Sequence, residues 1–162
     1  MIFKVLKCVK LVDHVMVQKK QTNNFYKKFK SFFLKNGDFR SANSLVDKTM
    51  LLLAKKYNTV PTRIFLSIFK KLNSFIEVRI IKKKRRTYFV PFAVGLNRRI
   101  YLVLKKLKET LILDKRKISF GEKLRHEIFL LLSKEKLSKS LQLKKDNLLK
   151  AAQNRSNVHF RW

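Results

Sequence analysis

The chain has 162 residues, 46% of them hydrophobic, enough to bury one core and the length expected of a single domain. Its 40 Lys and Arg against 10 Asp and Glu give a formal charge of +30, and a compact chain so charged repels itself unless a polyanion, nucleic acid or an anionic membrane surface, neutralises it. Cys8 is the single cysteine, which excludes an internal disulfide and a cross-linked secreted scaffold, while Leu, Ile, Val and Phe spread along the chain exclude disorder for all but short stretches.

Met1 to Val17 is hydrophobic but interrupted by Lys4, Lys7, Lys10 and Asp13, which excludes a signal-peptide apolar segment and a membrane span. It contains no Arg or Ser, whereas a cleavable transit peptide is rich in both. Residues 1–23 are therefore read as a basic arm or extension, and 24–162 as one helical domain. From Phe25, the residues Phe25, Tyr26, Phe29, Phe32 and Phe33 fall on one helical face, with Lys27, Lys28, Lys30 and Lys35 on the others. Asn24 is a plausible N-cap, and Gly37 stands where a helix commonly ends in a left-handed residue. A second helix through Ala42, Leu45, Val46, Thr49, Met50 and Leu53 makes a hairpin with the first.

Pro61 suits a first helical turn, where its missing N–H has no partner to lose, and Ile64, Phe65, Ile68, Phe69 and Leu72 continue that third helix. The period then changes to two: Ile76, Val78 and Ile80 alternate with Glu77 and Arg79, and Tyr88, Val90, Phe92 and Val94 alternate again. This predicts a two-stranded ribbon at about 75–94, tipped by Lys82, Lys83, Lys84, Arg85 and Arg86. Pro91 argues for an edge position. Helical spacing returns at Ile100, Val103, Leu104, Leu107 and Leu111, with Arg98, Arg99, Lys105, Lys106 and Lys108 assigned to the outer surface. Ser119 and Glu122 suggest a capping box before the stripe Phe120, Leu124, Ile128, Leu131 and Leu132. A last helix spans about Leu141 to Asn154 with Lys144, Lys145 and Lys150, followed by a tail ending His159-Phe160-Arg161-Trp162. The expected fold is mainly α: about six helices with a two-stranded β-hairpin protruding between the third and fourth.

Four segments, in order, resemble one family. They are Phe29 to Val46 with its Asn36-Gly37 turn; Pro61 with Phe65; Ile76-Glu77-Val78 and Thr87-Tyr88-Phe89-Val90-Pro91 followed by Arg98-Arg99; and Ala151, Asn154 and the terminal His159-Phe160-Arg161-Trp162. Over residues 25 to 162 the chain is similar to the seventh protein of the small ribosomal subunit, ribosomal protein S-seven, of bacterial and organellar type. The family's Gly-Gly ribbon turn is replaced by Lys84 and Arg85, its Lys-Lys after the first turn by Asp38 and Phe39, and its Arg- and Pro-rich arm is not recognisable. The resemblance implies a protein that binds the head domain of small-subunit rRNA early in assembly, beside neighbouring small-subunit proteins, with its ribbon near the messenger path and the exit-site (E-site) tRNA. Lys far in excess of Arg, 14 Phe, 3 Gly and 2 Pro are the bias an AT-rich genome imposes. That bias fits an organelle-encoded chain, mitochondrial by this reading with the plastid as the alternative.

Phosphate contacts need long cationic side chains on a rigid support. The candidates are Lys27, Lys30, Lys35 and Arg40 around the first hairpin, Arg79 and Lys82 to Arg86 on the ribbon, Arg98, Arg99 and Lys105 on helix four, and His159, Arg161 and Trp162 at the end. Tyr88, Phe89, His159, Phe160 and Trp162 are candidates for stacking on unpaired bases. The acids are scattered, His14, His126 and His159 with Cys8 make no zinc pattern, and there is no Gly-rich phosphate loop, so neither an enzyme nor a cofactor is expected. The rivals are a basic amphipathic membrane-surface or assembly protein and a general DNA-packaging protein; no membrane insertion is expected.

Overall fold

The computed structural model describes residues 26–34 and 36–161. The expected arm over 1–23, Asn24 with its cap, Phe25, Lys35 and Trp162 lie outside the described residues.

Helix α1 (26–32) closes in two tight turns, Phe33 N donating to Lys30 O and Leu34 N to Ser31 O, each at 3.2 Å. Gly37 is left-handed (φ 77°), but so is Asn36 before it (φ 53°). Together they reverse the chain beyond the helix end, so Gly37 turns the hairpin where a cap on α1 was expected. Asp38 then caps α2 (Phe39–Tyr57), its carboxylate accepting from Ser41 N at 3.1 Å. The hairpin is fastened at Asp47 on α2, which accepts from Tyr26 Oη and, at 2.8 Å, from Lys30 Nζ. Burial raises the Asp47 pKa, but the bonds from Lys30 and Tyr26 outweigh it and leave the carboxyl below its ordinary value.

Helix α3 (Pro61–Leu72) opens with Pro61, as its sequence predicts. Strands β1 (Ile76–Lys83) and β2 (Arg86–Ala93) pair antiparallel, and α4 (Leu96–Leu113) follows, then α5 (Phe120–Ser133) and α6 (Lys139–Gln153). Ser119 caps α5 by accepting from Glu122 N at 3.2 Å. Two 3-10 segments were not foreseen: Glu135–Leu137 before α6, and Arg155–Arg161, which turns the expected tail into an ordered element. The expected mainly helical architecture with a hairpin between α3 and α4 is the one observed.

The apolar stripes meet in one cluster. Phe29 of α1, Val46 and Met50 of α2, Ile68 and Leu72 of α3, Leu104 and Leu107 of α4, and Ile128 and Leu131 of α5 are all buried in it. Each such side chain contributes roughly 1.5–3 kcal/mol by leaving water. The first-helix aromatics interlock edge-on, Phe29 with Phe65 at 4.9 Å and Phe33 with Phe120 at 5.8 Å, the geometry that the ring quadrupole favours.

Lys106 corrects an expectation. Assigned to the outer surface of the fourth helix, it is only 5% exposed, because α4 packs against α6 as well as α5. The ridge Val103, Lys106 and Thr110 is buried together with the apolar stripe. Glu127 of α5 is buried too, and accepts from Ser138 Oγ at 2.8 Å, Ser140 N at 2.9 Å and Ser140 Oγ at 2.7 Å. An acid at the first turn of α6 satisfies free N–H groups there and matches the positive end of the helix dipole.

Candidate nucleic-acid interface

In an antiparallel ladder directly opposed residues share a face, and neighbours along a strand alternate. The register Glu77↔Phe92, Arg79↔Val90, Ile81↔Tyr88 and Lys83↔Arg86 defines one face of the ribbon; Ile76↔Ala93, Val78↔Pro91, Ile80↔Phe89 and Lys82↔Thr87 define the other. The two apolar rows read from the sequence therefore lie on opposite faces. The Tyr88, Val90 and Phe92 row is buried or half-buried along its length, with the Tyr88 ring 4.3 Å from Phe160 of the terminal 3-10 segment, whereas the other row is covered only toward the base, where Pro91 is buried and Val78 half-buried. On the opposite face Ile80 and Phe89 stay 62% and 46% exposed.

Lys84 and Arg85 form a two-residue turn, and Lys84 holds φ 54°, a left-handed conformation that brings a residue's Cβ too close to the following carbonyl oxygen and is disfavoured for all but Gly and, to a lesser degree, Asn or Asp. Lys82, Lys83, Lys84, Arg85 and Arg86 are all exposed. Because Lys83 opposes Arg86, the tip sets like charges across from each other on a strained turn. The repulsion falls when anions surround the arm; the backbone cost at Lys84 does not depend on them.

Toward the base, Glu77 gathers two of the candidates. Arg98 of α4 donates to it from Nε at 3.1 Å and Nη2 at 2.6 Å, and Arg79 from Nη2 at 3.3 Å. The Arg98 bond is the main reason why the Glu77 carboxyl lies below its usual value. Arg98 also rests over the Tyr101 ring, at 4.8 Å. Arg99 is turned inward, donating to Val94 O at 2.7 Å and lying 4.2 Å from the Phe75 centroid. Lys28 of α1, itself exposed, donates to Asn97 at 3.2 Å, which brings the start of α1 alongside the first turn of α4, where Lys27 is exposed as well. Lys105, two helical turns on from Arg98, is exposed beside Glu109 at 3.7 Å. Ribbon, α4 and the start of α1 thus share one cationic side.

Other candidates are placed elsewhere. Lys30 is held by Asp47 and only 18% exposed, so its charge serves the hairpin. Arg40 is exposed on the first turn of α2, at the opposite end of α1 from Lys28. His159 is exposed, its ring 3.9 Å from Phe160 and its Nδ1 2.7 Å from Ser156 O. Arg161 folds back onto β2, donating from Nε and Nη2 to Pro91 O at 2.8 and 2.6 Å.

Residues 6–156 match the family model described as ribosomal protein S7p/S5e. The chain belongs to the ribosomal protein S7p/S5e family. Among curated proteins it is similar to small ribosomal subunit protein uS7m of Drosophila melanogaster, 26% identical over a 147-residue alignment, with 82% of this chain covered. The match spans 66% of that relative's length. Within this S7p/S5e chain, Glu77 and Asn157 organise the cationic side and were missed in the sequence. Glu77 carried a signal, as a lone acid on an otherwise basic ribbon. Asn157 carried none, since its partner lies 68 residues away, at Phe89 O.

Among the described residues of this family member, no group of three or more His, Cys, Asp or Glu is placed to hold a metal ion. Nor is any described helix long and apolar enough to cross a membrane.

Proposed function

We propose that the chain is a structural protein of the small ribosomal subunit that binds the head domain of its rRNA, with the ribbon reaching toward the messenger and exit-site tRNA path and neighbouring small-subunit proteins packed around it. Family membership supports the ribosomal role. The observation that carries the RNA contact is the tip: five exposed cations from Lys82 to Arg86 on a two-stranded arm, with Lys83 opposite Arg86 and Lys84 in a left-handed turn. Phosphates between those side chains remove the repulsion that the free arm carries. Arg79, Arg98, Lys105 and Lys27 continue the contact along the base, and Phe89, exposed on the face away from the tail, is the ribbon's stacking surface. Residues 1–23 form an arm apart from the helical domain over 24–162 in this reading. The Lys- and Phe-rich composition and the likeness to uS7m support a mitochondrial subunit.

Replacing Lys82, Lys83, Lys84, Arg85 and Arg86 with Gln is expected to weaken binding to a head-domain rRNA transcript. The slope of log affinity against log salt should become shallower by roughly 0.7–0.9 for each phosphate that the tip no longer neutralises. A slope equal to that of the unaltered chain refutes the contact. Flotation with zwitterionic liposomes, which carry no net charge to attract the cations, is expected to leave the protein in the dense fraction when rRNA is absent; co-flotation favours a membrane-surface role built on amphipathic helices.

A further inference from the structure

The terminal 3-10 segment lies along the outer edge of β2. In an antiparallel pair, alternate residues turn their peptide groups toward the partner strand and away from it. Pro91 has no N–H to give Val78, its register partner, so it suits an outward-facing position, and Phe89, two residues earlier, faces the same way. The carbonyls at both positions are taken by one short segment: Asn157 Nδ2 donates to Phe89 O at 3.3 Å, and the Arg161 fork donates to Pro91 O at 2.8 and 2.6 Å. Between them Phe160 packs its ring against Tyr88 at 4.3 Å, and Lys83 Nζ lies 5.2 Å from the same ring. The edge that a two-stranded ribbon leaves open is thereby closed by side chains.

A hairpin joined to a bundle only at its base is free to swing, since two strands alone are marginally stable in water. From these contacts we infer that Arg161, with Asn157, is a staple that fixes the ribbon's angle on the bundle, a positioning residue for RNA contact rather than a phosphate ligand. This rests on the RNA-binding reading above only for its consequence; the staple itself is a property of the free protein. With the edge clasped, the cations of the tip are presented in one orientation. Less ordering is then left to be done at binding, the general advantage of a preorganised surface.

Arg161→Lys separates the two roles, because it keeps the charge and removes the two-pronged fork. In the free variant, hydrogen exchange at the amides of 86–93 is expected to be about tenfold faster, with the amides of α2 to α5 unchanged. Affinity for a head-domain rRNA transcript should then fall by about three- to tenfold with an unaltered salt slope, since every phosphate keeps its cation. Asn157→Ala, a milder change at an exposed edge, should move both readings in the same direction by less. Unchanged ribbon exchange in both variants overturns the staple, as does acceleration spread evenly over the bundle. A normal Arg161→Lys beside an Arg161→Ala whose salt slope is flatter by about 0.7–0.9 makes Arg161 a phosphate ligand. Should the unaltered chain bind the transcript no better than duplex DNA at equal salt, the RNA reading fails while the exchange result still stands.

Discussion

Burial decides what a charged side chain does here, and Lys106 is the clearest case. Removal from water is the main cause that brings its pKa down to about 8, with repulsion from Lys144 second; Lys144, itself partly buried while donating to Lys71 O at 2.7 Å, is lowered for the same desolvation reason. The folded-state pKa of Lys106 lies below the unfolded value near 10.4, so between about pH 8 and pH 10 the unfolded chain binds more protons and stability rises with pH. Below about 8 the ammonium's burial cost is present in full. Lys106→Met keeps the buried stem and removes the charge. It is expected to raise the free protein's stability at pH 7 by on the order of 1–3 kcal/mol, with the gain shrinking toward pH 10, as thermal melts at both pH values will check. The sequence made Lys106 look like its neighbours Lys105 and Lys108, since three cations in four residues read as a solvated face. What it withheld is that α4 is covered on two sides.

At the scale of elements, the helices were legible because their apolar spacing is local: Pro61, the Ser119–Glu122 pair and the Ile100 to Leu111 stripe each stand within one segment and appear where expected. The ribbon was legible as two alternating runs around a cationic tip. Which of its faces is covered was not, because that depends on a segment some 70 residues downstream. The turn itself carries a conflict between conformation and residue type. Lys84 occupies a position where Gly meets no steric penalty, so Lys84→Gly should relieve strain of up to about 1 kcal/mol and slow hydrogen exchange across the ribbon. The same change should flatten the salt slope of rRNA binding by roughly 0.7–0.9 if Lys84 holds a phosphate. A tip that became more ordered yet bound RNA with an unchanged slope would assign Lys84 a solvent-facing role. Retaining Lys at that site against its conformation is what function at the tip predicts.

For the molecule as a whole, the competing terms are a well-filled core and a net charge of +30. Six ion pairs are formed among the described residues, and Glu77, Asp47 and Asp114 take part in four of them, so most of the described cations have no carboxylate partner to offset their repulsion. The melting temperature of the free protein should therefore rise between about 0.05 and 0.5 M salt, as screening shortens the range of repulsion, and should rise further when a head-domain rRNA transcript is added, because a ligand of the folded state stabilises it. A midpoint indifferent to salt would show that the scaffold tolerates its charge without a polyanion. Composition, helical spacing and the order of the motifs were enough by themselves to determine the class of fold, the hairpin between α3 and α4, the family and the large excess of positive charge, because each is written in local patterns or in sums over the chain. Only the tertiary structure decided that Lys106 and Glu127 are buried, that Lys30 serves Asp47, and that Arg161 clasps Pro91. Those outcomes depend on which surfaces distant segments cover, and burial and hydrogen-bond partnership are properties of packed neighbours that no single stretch of sequence contains.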